Sequence, residues 1–78
     1  MTNLLSKEGI AFIIERVLNN AKEATSDRNN ATEEEDVIYH SGRVEAYYEI
    51  LDTIKNELLI KDQDIKEFGL DFNLEQIA

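Results

Sequence analysis

Glu33 to Lys61 reads EEEDVIYHSGRVEAYYEILDTIKNELLIK, and this stretch decides the fold. Val37, Val44, Leu51 and Leu58 recur every seven residues, and His40, Tyr47 and Ile54 follow the first three of them by three. That is the a/d spacing of a helix that packs lengthwise on another helix. Tyr39, Ala46 and Ile50 lie on one flank of the seam and Tyr48 on the other, so the apolar arc is wider than one helical partner needs. The seven seam residues are the predicted core and dimer contact. Thr32-Glu33-Glu34-Glu35 is a capping-box pattern, and the acids that follow suit the positive end of a helix starting at Glu33. Gly42 costs about 1 kcal/mol relative to Ala inside a helix, and is explained either by a kink or by the close approach of another backbone, which would make it a crossing point.

Upstream, Ile10, Ile13, Ile14, Val17, Leu18, Ala21 and Ala24 follow the i, i+3, i+4, i+7 rhythm of an amphipathic helix. Helix 1 is expected over about 6–24, capped by Ser6 or Thr2, with Leu5 and Phe12 on the opposite side as a second contact. Thr25 to Asn30 carries no apolar side chain and predicts an interhelix loop over 25–32. Helix 2 then spans about 33–61, on the order of 40 Å against nearer 30 Å for helix 1, leaving an excess that needs another partner. Downstream, an acid, two apolar side chains three apart and Gly69-Leu70 predict a short helix over 63–68, closed by Gly69 in the left-handed conformation. Ile65, Phe68, Leu70, Phe72, Leu74 and Ile77 are too apolar for a free tail over 70–78 and are expected to fold back over the hairpin.

Seventy-eight residues make a single domain, near the lower limit for burying an adequate core. Zero Pro and three Gly favour helix, and zero Cys removes disulfides and thiolate metal sites. Eight basic against seventeen acidic side chains give a net charge of −9, which opposes direct contact with nucleic acid or anionic lipid. The longest apolar run, Gly9 to Ile14, is far too short to cross a membrane and precedes no cleavage pattern, so a cytoplasmic location is expected.

Little in the chain carries chemistry. His40, the only histidine, has Asp36 one turn before it, but its seam position favours a structural polar residue that sets register. Glu49 and Asp52 have the spacing that puts two carboxylates on one helix face, as in helical magnesium-dependent nucleotide pyrophosphohydrolases. Helix 1 offers only Glu8, Glu15 and Glu23, at the wrong intervals for the paired-Glu motif of that family. Glu45, Glu49 and Asp52, with Asn56 beyond, form an acidic ridge whose turns repeat at about 5 to 6 Å, close to the spacing of phosphates. The ridge reads either as a surface for a basic partner or as a solvated face. Tyr39, Tyr47 and Tyr48 are expected to pack rather than stack bases, since only Arg43 is nearby and acids surround it.

The run His40-Ser41-Gly42-Arg43-Val44-Glu45-Ala46-Tyr47-Tyr48-Glu49-Ile50-Leu51, followed by Ile65-Lys66-Glu67-Phe68-Gly69-Leu70-Asp71, resembles small acidic proteins encoded by prophages and mobile elements of low-GC Gram-positive bacteria. The likeness covers roughly the last forty residues. It implies a phage accessory or host-interaction protein, and it brings no activity or site residues with it. Together these readings predict an all-α protein, an antiparallel helical hairpin with a short C-terminal helix, dimerising into a four-helix-bundle-like assembly. The expected function is non-enzymatic: a cytosolic protein-interaction module without cofactor or metal. A mimic of nucleic acid that inhibits a basic host protein is the first alternative, and a magnesium-dependent hydrolase using Glu49 and Asp52 the second.

Overall fold

A computed structural model describes residues 6–74. Its elements are α1 (Lys7–Asn30), α2 (Glu34–Ile60) and a short 3-10 helix, η1 (Ile65–Phe68), arranged as a helical hairpin with the C-terminal segment laid across it. Ser6 caps α1: its Oγ accepts the Gly9 N–H at 3.0 Å, and Glu8 sits in the first turn where the helix end is positive. Thr2 and Leu5 lie outside the described residues, as does Ile77.

The expected loop over 25–32 is instead mostly helix. Thr25 to Asn30 form the last turns of α1 because their polar side chains find partners within the helix or across the hairpin. Thr25 Oγ1 donates to the Ala21 carbonyl at 3.1 Å, Asn30 Nδ2 to Ser26 Oγ at 3.4 Å, and Asp27 pairs with Arg43. Residues that usually favour turns thus have their bonding satisfied without leaving the helix. The link to α2 shrinks to Ala31-Thr32-Glu33. The capping box does not form: the N-cap is Glu33, with no side-chain cap bond, and the acids Glu34, Glu35 and Asp36 alone complement the helix end. The lengthened α1 also leaves helices of 24 and 27 residues, so the expected excess of α2 almost disappears.

Two left-handed residues end the elements that follow. At Asp62 (φ 57) the chain turns out of α2 as Asp62 N–H donates to the Leu59 carbonyl and Gln63 N–H to that of Leu58. At Gly69 (φ 74) the pattern repeats, with Gly69 N–H to Lys66 and Leu70 N–H to Ile65 at 3.0 Å. The second is the stop expected from Gly-Leu; the first uses a residue with a Cβ where glycine is usual. Asp64 caps η1 through its side chain to Lys66 N–H.

One core cluster joins the three elements. Ile14, Leu18, Ala21, Leu51, Phe68, Leu70 and Leu74 are buried, and Tyr47, Tyr48, Ile54, Leu58, Ile65 and Phe72 pack against it. The expected return of the C-terminal segment is therefore seen for every described residue named for it. Lys7 pairs with Glu67, and Lys55 Nζ donates to the Phe72 carbonyl at 2.9 Å. The a/d seam of α2 is largely spent inside the chain: Val44 and Leu51 are buried, Leu51 in the cluster shared with α1 and the returning segment, and only Val37, at 36 % exposure, is exposed. Gly42 marks no crossing within the chain, for a Cβ built there meets nothing within 4 Å. Phe12, meant for a second contact, is 60 % exposed.

Candidate functional site

The acidic ridge stands as the spacing requires. Glu45, Glu49 and Asp52 project from one face of α2, the first two exposed and Asp52 half-buried. Asn56 Nδ2 donates to Asp52 Oδ2 at 3.3 Å, extending the ridge by a turn. No described side chain bonds the carboxylates of Glu45 or Glu49, and both residues are exposed to solvent. The helix beneath them is anchored by Val44 and Leu51, which holds the charges at fixed spacing.

A second polar group lies near the turn of the hairpin. Arg43 Nη1 donates to Asp27 Oδ2 at 3.0 Å and lies 2.8 Å from His40 Nδ1. A guanidinium only donates, so His40 Nδ1 is the acceptor in this contact. The Tyr39 ring meets the His40 ring edge-on at 5.0 Å. The hydrogen bond to Asp27 raises the Arg43 pKa above its ordinary value, aided by the Asp27 charge and opposed by loss of water. The side chain that His40 meets is thus Arg43 rather than Asp36. Sequence spacing within α2 makes the His40–Arg43 contact legible, three residues apart on one face. Asp27 was not legible as a partner, because its surroundings read as loop.

Glu49 and Asp52 share a face, but the described residues of α1 bring no carboxylate to them, and no group of three or more His, Asp or Glu able to hold a metal occurs among the described residues. Tyr47 and Tyr48 pack on the core, while Tyr39 is 66 % exposed. Among the described residues no helix is long and apolar enough to cross a membrane. A shallow recess between α1 and η1, lined by Ala11, Glu15, Leu18 and Phe68, offers little polar chemistry. The surface that periodicity underestimated is apolar: Ile10, Ile13 and Ile50 keep substantial exposure although each belongs to an apolar stripe or flank. No protein-family model matches the chain, and comparisons with curated proteins and with solved structures likewise find no match.

Proposed function

We propose that the chain is a small non-enzymatic protein-interaction module, acting in the cytoplasm as an accessory factor of a prophage or mobile element. Its working surface in this reading is the ridge of Glu45, Glu49 and Asp52, which meets a basic surface on a host protein. The observation that carries it is the exposure of unpaired Glu45 and Glu49 on a helix fixed by buried Val44 and Leu51, in a chain of net charge −9. Such a row attracts a positive partner over a Debye length, about 8 to 10 Å at ordinary salt, and holds its spacing without reorganisation on contact.

The test replaces Glu45, Glu49 and Asp52 with Gln, Gln and Asn. Wild-type chain immobilised on a resin should retain a basic host protein at low salt and release it as salt rises. The triple variant should keep its helical circular dichroism and retain at least tenfold less. A partner that is a nucleic-acid-binding protein, displaced by its own nucleic acid, would refine the module to a nucleic-acid mimic. Equal retention by both chains at every salt concentration would reduce the ridge to a solvated face, and a magnesium-dependent nucleotide hydrolysis lost in the variant would replace the module with a hydrolase.

A further inference from the structure

The two sides of the hairpin are unequal. At about 100° per residue, Arg43, Tyr47, Ile50 and Ile54 lie on one side of the buried Val44–Leu51 line of α2, and Tyr48 and Lys55 on the other, with Asp52 farther round beside Glu45. On α1, Ile10, Ile13 and Val17 lie to one side of the buried Ile14–Leu18 line, and Ala11 and Glu15 to the other. The C-terminal segment covers the second side of both helices: Lys55 reaches the Phe72 carbonyl, and Ala11 and Glu15 line the recess with Phe68 and Gly69. The Arg43–Asp27 bond joins the helices on the first side.

Nothing among the described residues covers that first side, where Ile13 is 47 % and Ile50 48 % exposed, with Val17, Tyr47 and Ile54 half-buried between them. The whole body measures 49 × 26 × 14 Å, a slab too thin to bury both faces of its helices. Charge indicates what closes it. At one end of this side Arg43 is paired with Asp27, and at the other Lys61 with Glu57. Ile13, Val17, Ala46, Tyr47, Ile50 and Ile54 line the space between, and the unpaired acids Glu45 and Glu49 project elsewhere. Between those ends a basic partner would find no unpaired acid among the described residues to complement: the exposed Asp36 lies beyond Arg43, and the exposed Arg16 borders the side with a positive charge. Another molecule of charge −9 would meet its least repulsion here.

We infer that a second copy of this chain docks on the Ile13–Ile50 side, so that two hairpins close face to face into a four-helix bundle. The ridge lies outside this contact, so the two readings stand or fall separately. The a/d seam does not form the contact; the flank of α2 next to it does, together with its counterpart on α1.

Sedimentation equilibrium of the full chain over about 1 to 200 μM should show a monomer–dimer equilibrium within the range of ordinary interfaces. Ile13→Glu and Ile50→Glu each place a charge on the contact but at sites already half open in the single chain, and each should weaken dimerisation at least tenfold with helical content unchanged. Ile38→Glu and Ile60→Glu, at 65 % and 72 % exposure on other faces of α2, should leave it unchanged. The chain has no cysteine, which allows a check that does not depend on those variants folding. The register set by Asp27 and Arg43 puts Asn20 beside Ile50, so Asn20→Cys should be joined between copies by a short bismaleimide, and Glu49→Cys should not. A monomer throughout the range, a dimer weakened by Ile38→Glu and not by Ile50→Glu, an oligomer larger than two, or cross-linking through Glu49→Cys alone would overturn the inference.

Discussion

Asp62 and Gly69 occupy the same backbone region, with φ of 57° and 74°, yet only one of them is a glycine. The left-handed region crowds a Cβ against the following carbonyl at roughly 1–2 kcal/mol, less for Asp than for most residues. Asp62→Gly should therefore stabilise the chain by up to about 1 kcal/mol, and Gly69→Ala should destabilise it by about 1–2 kcal/mol although the space around it is open. Gly42 is the opposite case, a helix-interior glycine whose Cβ would meet nothing, so Gly42→Ala should gain about 0.5–1 kcal/mol. Thermal melts resolve these changes, since 1 kcal/mol moves a domain this small by about 4–8 °C. A loss of stability in Gly42→Ala would show that another backbone does approach there.

At the scale of elements, the returning C-terminal segment makes up the core that a bare hairpin lacks. Phe68, Leu70 and Leu74 are each at most 5 % exposed, and burying one such side chain is worth about 1.5–3 kcal/mol. Deleting Asp71 to Ala78 removes Phe72 and Leu74 from that core and should lower the melting temperature by several degrees, with amide exchange accelerated from Ile65 onward. An unchanged melt would mean that the segment adds nothing to the hairpin. Leu51 sits where α1, α2 and this segment meet, completely buried. Leu51→Ala should cost about 2–5 kcal/mol, and Leu51→Asp should destroy the hairpin itself, which makes that position unsuitable for probing contact between copies.

For the whole molecule, the charge of −9 opposes every contact with another acidic body and favours contact with a basic one. Salt therefore acts on the two proposed contacts with opposite sign. Screening should tighten self-association on the paired, apolar side of the hairpin, because the repulsion between copies shrinks while area burial does not. The same screening should loosen capture of a basic partner by Glu45, Glu49 and Asp52. Measuring both between low and high salt separates them: a dimer that weakens as salt rises would point to charge pairing between copies rather than apolar contact.

The helical class, the seam of α2, the Gly69 stop and the return of Phe68 to Leu74 were legible in residue order, because each depends on local periodicity or on a backbone preference that neighbouring residues set. The acidic ridge was legible for the same reason: Glu45, Glu49 and Asp52 share a face wherever the helix sits. Thr25 to Asn30 were misread because their loop-forming tendency is local, whereas Asp27 is satisfied by Arg43 sixteen residues away. Thr32 likewise matched a cap that Glu33 supplies instead. Which apolar residues end up inside was decided only by packing. Leu51 is enclosed by α1 and the C-terminal segment and Val44 is buried two turns before it, while Ile13 and Ile50, as apolar as their buried neighbours, face outward because that segment covers one side of the hairpin and not the other. Periodicity counts apolar positions; how many partners arrive to cover them is a property of the assembled chain.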